Sequence, residues 1–318
     1  MRDPELLYGP EPASSAWRSN VILLNGLKGD ARTTWTPPIP PSGDVWWKRL
    51  SDGLGGASIL SFDVPQEVVR SVDEDDITLE QNAGAVLELI QRAKLLNTKT
   101  LFVGYSFGGI LLKLVLADML SREPKHFRPR LGNITGLVFL GVPHKGSPWA
   151  NKGIKVIRSL RRSRLMSQVA GTSHLEDVQQ DSRILNIVGD RFQVAWDSKF
   201  ATLPIVSVVE QRRIIVETIL SKRVPKLDKI VRRLPQSWQS AVLGLELDRL
   251  IVDSDAAVLN LETESVLGAD CCHMALPWFQ FDGAAAVLDH IIQTFGQSMT
   301  SNPDGEADFR LLTDGIAA

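Results

Sequence analysis

The sequence predicts an α/β fold in which a mostly parallel sheet is covered by helices on both faces. Three observations lead to this prediction. Short apolar runs alternate along the chain with longer amphipathic segments. The apolar runs are continuous, as is typical of parallel strands that are buried on both faces. Apolar residues also make up 44% of the 318 residues, which is enough for a sizeable core.

Glycine and proline mark the boundaries of the predicted elements in the first half of the chain. The apolar run Val21 to Leu24 ends at Asn25-Gly26. A cluster of glycines, 53, 55 and 56, follows the first helix, because glycine adopts the left-handed conformation common at helix C-termini. In chain order we expect strand 21–24, helix 46–54, strand 57–62, helix 79–90, strand 100–105 with its following helix, and strand 136–140.

The second half is predicted to carry helical insertions between fewer strands. The expected elements are a helical, amphipathic region 148–202, strand 203–209 ending at Glu210, a helical stretch 211–247, short strands 250–252 and 265–268, and a closing helix 283–295. These elements predict one domain over 17–297. The flanking segments 1–16 and 298–318 are expected to be tails.

The most informative motif is Gly104-Tyr105-Ser106-Phe107-Gly108, which has the G-x-S-x-G form of a nucleophile elbow. An apolar strand precedes it and an apolar helix follows, the context that the elbow requires. The turn is sharp, so small residues must flank the serine on each side. The sequence therefore predicts Ser106 as a catalytic nucleophile with its hydroxyl raised above the strand ends. The alternative is a structural serine in a glycine-rich turn.

A serine hydroxyl needs a base, and the order Ser, acid, His is expected in an α/β-hydrolase fold. The base should therefore follow the last strand, as His273 does. For the acid we expect Glu210, which ends a strand, with Asp253 and Asp248 as alternatives. Ordinary loop residues remain the alternative interpretation of each.

The remaining parts of the predicted site come from turns that follow strands. Two amides are needed for an oxyanion hole. We expect the Phe107 N–H to be one of them, and the other to come from Gly26 or Leu27. Pocket side chains are expected to be Asn25, Tyr105 and His144. We expect neither a cofactor nor a metal.

Charge and cysteine content exclude some functions. Lys+Arg 35 nearly balance Asp+Glu 37, so nothing predicts a nucleic-acid partner. The two cysteines, Cys271 and Cys272, are adjacent and unsuited to bridging each other, which favours a reducing compartment. The N-terminus lacks the apolar core of a signal peptide, and no apolar run is long enough to span a bilayer. We therefore expect a soluble intracellular protein, in the cytoplasm.

Several stretches together resemble a known family. They are 25–30 with 34–36, 104–109, the Gly-Val-Pro-His-Lys-Gly-Ser stretch 141–147, and Ala269-Asp270 with His273. These stretches are similar to lipase-like serine esterases related to the eukaryotic serine-active-site-containing proteins, whose domains also occur at the N-terminus of fungal immune-type receptors. The resemblance implies an α/β-hydrolase fold, a serine nucleophile and an ester or lipid-like substrate. Where the family usually has His-Gly this chain has Asn25-Gly26, and Cys271 takes the place of a histidine directly after the aspartate.

The sequence favours a serine esterase or lipase acting on small-molecule or lipid esters. The alternatives are a catalytically weak or inactive signalling module on the same fold, and a serine peptidase or thioesterase, since acyl transfer to serine is common to all of these enzymes. The region 211–247 is amphipathic and basic, and is expected to be either a lid or a pair of helices packed on the core. As a lid it could also contact an anionic membrane surface.

Overall fold

Seven strands form one sheet in the computed structural model, which describes residues 3–12, 14, 18–26, 29–37, 45–62, 79–121, 127–147, 183–212 and 250–300. In chain order the strands are β1 (Glu5–Tyr8), β2 (Ser19–Leu24), β3 (Ser58–Phe62), β4 (Lys99–Tyr105), β5 (Ile134–Leu140), β6 (Ile205–Glu210) and β7 (Glu264–Ala269). Their spatial order is β1-β3-β2-β4-β5-β6-β7, and every pair is parallel except β1 with β3.

Helices cover both faces of the sheet. They are α1 (Trp46–Gly53), α2 (Leu79–Arg92), α3 (Phe107–Ser121), α4 (Arg183–Ala195) and α5 (Ala284–Thr300), with short 3₁₀ or π turns at 95–97, 128–133, 196–200, 254–256 and 273–278. One core layer lies under α2, α3 and α4, and the other lies under α1 and α5. Strands β2 to β6 are buried at every residue except Lys99, the first of β4, because side chains on alternate positions enter opposite layers. The predicted α/β class, a mostly parallel sheet covered by helices on both faces, is confirmed.

The sheet order places a crevice between the ends of β2 and β4. The chain runs from β2 to β3 on one side, then crosses to β4 on the other side. In open parallel sheets, such a reversal leaves the carboxyl ends of the two strands free for a ligand. Leu24 of β2 pairs with Gly104 of β4, so the turn at Asn25 and the turn at Ser106 begin at the same level of the sheet.

Three of the sequence-based boundaries need correction. Residues 1–16 are not simply a tail, because Glu5–Tyr8 pairs antiparallel with β3 as an edge strand. The expected strand 250–252 does not form, because β7 occupies the edge of β6 and the N–H of Val252 is bonded to a side chain instead. The closing helix continues to Thr300, into the expected C-terminal tail.

The expected helical insertions lie mostly outside the described residues. Of the region 148–202, the structure describes 183–202, which contains α4. The region 211–247, expected to be either a lid or a pair of helices packed on the core, lies outside them except for Gln211 and Arg212. None of the described helices has both the length and the apolar composition needed to cross a bilayer.

Candidate active site

Ser106 occupies a strained turn between β4 and α3. Its φ is +52°, in the left-handed region that residues other than glycine rarely adopt. The Ser106 N–H donates to the Leu140 carbonyl over 2.9 Å, which ties the turn to the end of β5. The serine is partly exposed although its neighbours on both sides are buried. The turn therefore leaves Ser106 partly exposed at the crevice and the flanking side chains in the core.

The glycines around Ser106 allow a close approach of helix, strand and turn. A Cβ on Gly104 would lie 2.6 Å from the Cα of Gly109, and one on Gly108 would lie 2.2 Å from the carbonyl oxygen of Leu24. Either side chain would push α3 away from the sheet. Glycine at these positions thus allows the first turn of α3 to pack directly against the ends of β2 and β4.

His273 lies at the same edge of the sheet, packed against Tyr105, the residue that precedes Ser106. It begins the 3₁₀ turn 273–278 and is 3% exposed. The Tyr105 hydroxyl donates to the His273 carbonyl over 3.2 Å, and the centroids of the two rings are 5.2 Å apart. A Cβ on Gly141, whose φ is +55°, would lie 2.9 Å from His273 Nδ1. The imidazole therefore sits between the residue before Ser106 and the end of β5.

Glu210 is the last residue of β6 and its carboxylate faces His273. Oε2 of Glu210 lies 3.2 Å from His273 Nδ1, which is ion-pair distance without the alignment of a hydrogen bond. Among the described residues, neither of these two atoms has a hydrogen-bond partner. Oε1 accepts the Val252 N–H over 2.7 Å. With the carboxylate 1% exposed, water screens this pair little.

The other acidic residues near the end of the chain are placed differently. Asp253 is exposed, and its backbone carbonyl accepts the N–H groups of Ala256 and Ala257. Asp270 is partly exposed and paired with Arg212, whose hydrogen bonds hold the pKa of that carboxyl below its ordinary value. Asp248 lies outside the described residues. Of the acids expected for the triad, the structure brings Glu210 to His273.

The turn after β2 approaches Ser106 through Gly26. A Cβ on Gly26 would lie 3.1 Å from the Cβ of Ser106. The Gly26 carbonyl accepts the Gly29 N–H over 3.1 Å, and the buried Asn25 side chain donates to the same carbonyl over 3.4 Å. Leu27, expected to contribute an oxyanion-hole amide, lies outside the described residues. Phe107 is the first residue of α3, so its amide is at the helix N-terminus.

The side chains expected in the pocket, Asn25, Tyr105 and His144, are all buried. His144 packs edge-on against Phe139 with ring centroids 4.9 Å apart. Burial first, and the nearby positive charge of Lys113 second, hold the pKa of His144 well below its ordinary value, so the ring is neutral. All three side chains are therefore largely shielded from solvent in this structure.

Sequence reasoning missed Lys113 and the Val252 amide. Lys113 is 3% exposed in α3, and its Nζ lies 5.4 Å from the centroid of the Phe192 ring. Burial lowers the pKa of Lys113 to about 8. The sequence did contain a sign of this burial, since Lys113 is a charged residue inside the apolar run 107–120. The amide carried no sequence signal, because backbone donors are the same at every residue except proline.

Cys271 is held as a neutral thiol, and the described part of the chain shows no metal-ligand cluster. Burial raises the pKa of the Cys271 thiol to about 12, so the thiol stays protonated and is a poor nucleophile. Within the described ranges, no three His, Cys, Asp or Glu side chains cluster as metal ligands would.

Comparisons with known proteins show a shared fold and a distant sequence relationship. No protein-family model matches the chain. Protein SERAC1 of Bos taurus is 24% identical over 242 residues, which cover 70% of this chain and 35% of that protein. The chain thus spans about a third of the length of the curated relative that it matches.

The solved structures of a lipase resemble this chain over most of its length. The mature form of lipase BlEst2 from Bacillus licheniformis has a TM-score of 0.54 at 13% identity, covering 92% of this chain and 99% of the lipase. The propeptide form has a TM-score of 0.50 at 14% identity, covering 90% of this chain and 52% of the other. At these identities the likeness shows the α/β-hydrolase fold.

Proposed function

We propose that this chain is a serine hydrolase that cleaves carboxylic esters through an acyl-enzyme on Ser106. The observation that carries the proposal is the arrangement at one sheet edge. Ser106 stands at positive φ in the crevice, His273 packs against the adjacent Tyr105, and the buried Glu210 carboxylate faces His273. A strained serine, an imidazole and a carboxylate at this edge are the parts of a Ser-His-acid triad.

In this reaction His273 Nε2 removes the proton from the Ser106 hydroxyl as the oxygen attacks the ester carbonyl. Glu210 holds Nδ1 and stabilises the imidazolium that forms. The tetrahedral oxyanion accepts hydrogen bonds from the Phe107 N–H and from an amide of the turn after β2. As the C–O bond breaks, His273 gives its proton to the leaving alcohol. Water then attacks the acyl-enzyme by the same steps and releases the acid.

An ester is the substrate class that the proposed chemistry favours. Attack by an activated serine needs an acyl carbonyl with a leaving group, which a carboxylic ester supplies. The chain also shares its fold with a lipase. We therefore expect small-molecule or lipid esters, and propose no cofactor.

Hydrolysis of p-nitrophenyl butyrate by purified variants tests the proposal. Ser106→Ala should lose about 10³-fold or more in kcat, because it removes the nucleophile. Ser121→Ala is the matched control, since its hydroxyl caps the end of the same helix by donating to Ala117. The control should keep full activity. Activity retained in Ser106→Ala, or a wild-type protein inactive on every ester, would overturn the proposal.

A further inference from the structure

The turn after β5, residues 141–147, reaches across to the segment 250–257 beside Glu210. The Ser147 hydroxyl donates to the Ile251 carbonyl over 2.5 Å. The Lys145 N–H donates to the Ala256 carbonyl over 3.4 Å. These two bonds connect the Gly-Val-Pro-His-Lys-Gly-Ser stretch, for which the mechanism above has no use, to the segment that lies beside the proposed acid.

The peptide unit between residues 251 and 252 is bonded at both ends. Its carbonyl, on Ile251, accepts the Ser147 hydroxyl, while its N–H, on Val252, donates to Glu210 Oε1 over 2.7 Å. A peptide unit is planar, so fixing the direction of the carbonyl fixes the direction of the N–H. Two hydrogen bonds on one peptide also polarise each other and strengthen together.

Apolar packing around this peptide is limited, so its orientation depends more on the hydrogen bonds. Val252 belongs to a small buried cluster with Val209 and Ala257, which is separate from the two main core layers. Ser147 is 3% exposed, and water competes little for its hydroxyl. Without the Ser147 bond, the peptide could rotate and withdraw its N–H from the carboxylate.

We propose that Ser147 is a positioning residue that orients Glu210 toward His273 through the 251–252 peptide. The inference rests on the proposed function, since it assigns a role within that triad. Ser147 is not expected to touch substrate. Its loss should therefore lower kcat and leave KM nearly unchanged, since the base would lose its orienting carboxylate while the substrate site is kept.

The test compares Ser147→Ala with Thr263→Val. The Thr263 hydroxyl also donates to a backbone carbonyl, that of Leu203 over 2.8 Å, just before the opposite end of β6. Both variants remove one side-chain hydroxyl that bonds a loop carbonyl, and both should lose similar stability in urea unfolding. Ser147→Ala should lower kcat for p-nitrophenyl butyrate about tenfold. Thr263→Val should leave kcat within about twofold of the wild type.

A second readout needs no catalysis. A proton held between imidazole Nδ1 and a carboxylate resonates far downfield in the proton NMR spectrum, and we expect such a signal from His273 in the wild type and in Thr263→Val. We expect Ser147→Ala to weaken or lose this signal. An unchanged signal and kcat in Ser147→Ala, or equal losses of kcat in both variants, would overturn the inference. If the wild type hydrolyses no ester, the proposed function fails, and the NMR signal alone decides whether Ser147 orients Glu210.

Discussion

At the residue scale, Glu210 is held from two sides. One carboxylate oxygen faces His273 Nδ1 and the other accepts the Val252 N–H, with both contacts buried. Asp253 directly follows Val252 in the chain, but it is exposed and begins a 3₁₀ turn. Its carboxylate therefore does not belong to this buried pair. The sequence could only rank Glu210 above Asp253 as the triad acid, whereas the structure places Glu210 beside His273 and Asp253 at the surface.

Glu210→Gln should lower kcat by about 10³- to 10⁴-fold and leave KM nearly unchanged, because an amide cannot stabilise the imidazolium. The measurement is steady-state hydrolysis of p-nitrophenyl butyrate. Asp253→Asn is the control and should stay close to the wild-type rate. If Asp253→Asn were inactive and Glu210→Gln active, Glu210 would not be the acid.

Lys113 is a second residue whose environment has a measurable consequence. Burial lowers its pKa from 10.5 to about 8. Below pH 8 the folded protein therefore holds a buried charge, at a cost of about 3 kcal/mol relative to the unfolded chain. Between pH 8 and 10.5 the unfolded chain binds the proton and the folded protein does not, so stability should rise with pH in this window.

Lys113→Met should therefore be more stable than the wild type at pH 7, and the difference should shrink as the pH rises from 8 toward 10.5. Urea unfolding at several pH values measures this effect. Lys199→Met, at an exposed lysine, is the control and should change stability little at any pH. A Lys113→Met protein that is less stable at pH 7 would show that the amine has a stabilising partner.

At the element scale, the glycines of α3 matter for its close packing on the neighbouring elements, although glycine lowers helix propensity. Gly109 and Gly84 both lie inside helices, α3 and α2. A Cβ on Gly109 would lie 2.2 Å from a methyl group of Val142, whereas a Cβ on Gly84 would contact nothing within 4 Å. Propensity alone predicts that alanine stabilises both positions.

We expect the two substitutions to have opposite signs. Gly84→Ala should raise the free energy of unfolding by up to about 1 kcal/mol. Gly109→Ala should lower it by about 1–3 kcal/mol, because Val142 must move. Chemical denaturation of the two variants checks the signs. A stabilised Gly109→Ala would mean that α3 is free to shift relative to the turn after β5.

Elements also differ in how far the sequence predicts them. Strands β2 to β6 are continuous apolar runs bounded by turn residues, and each lies within about three residues of its predicted range. Strand β1 has four residues, and its partner β3 comes about fifty positions later, so local pattern gives no signal of it. The apolar run 250–252 resembles a strand locally, but β7 takes the place beside β6.

At the scale of the whole molecule, the sheet topology brings together candidate site residues that lie far apart in the sequence. Ser106, Glu210 and His273 are more than sixty residues apart from one another in the chain. Each nevertheless lies at or just beyond the carboxyl end of a parallel strand in one sheet. The sequence predicts this convergence because it predicts the strands. It does not predict the Ser147 contact or the Val252 amide, since both depend on how two loops meet.

The central claim is that Ser106 is an activated nucleophile, and covalent labelling tests it most directly. The protein is incubated with a fluorophosphonate probe, digested, and mapped by mass spectrometry. We predict one added phosphonyl group, on the peptide that contains Ser106, with labelling absent in Ser106→Ala and greatly slowed in Glu210→Gln. A wild-type protein that takes up no probe, or that is labelled at another residue, would contradict the account.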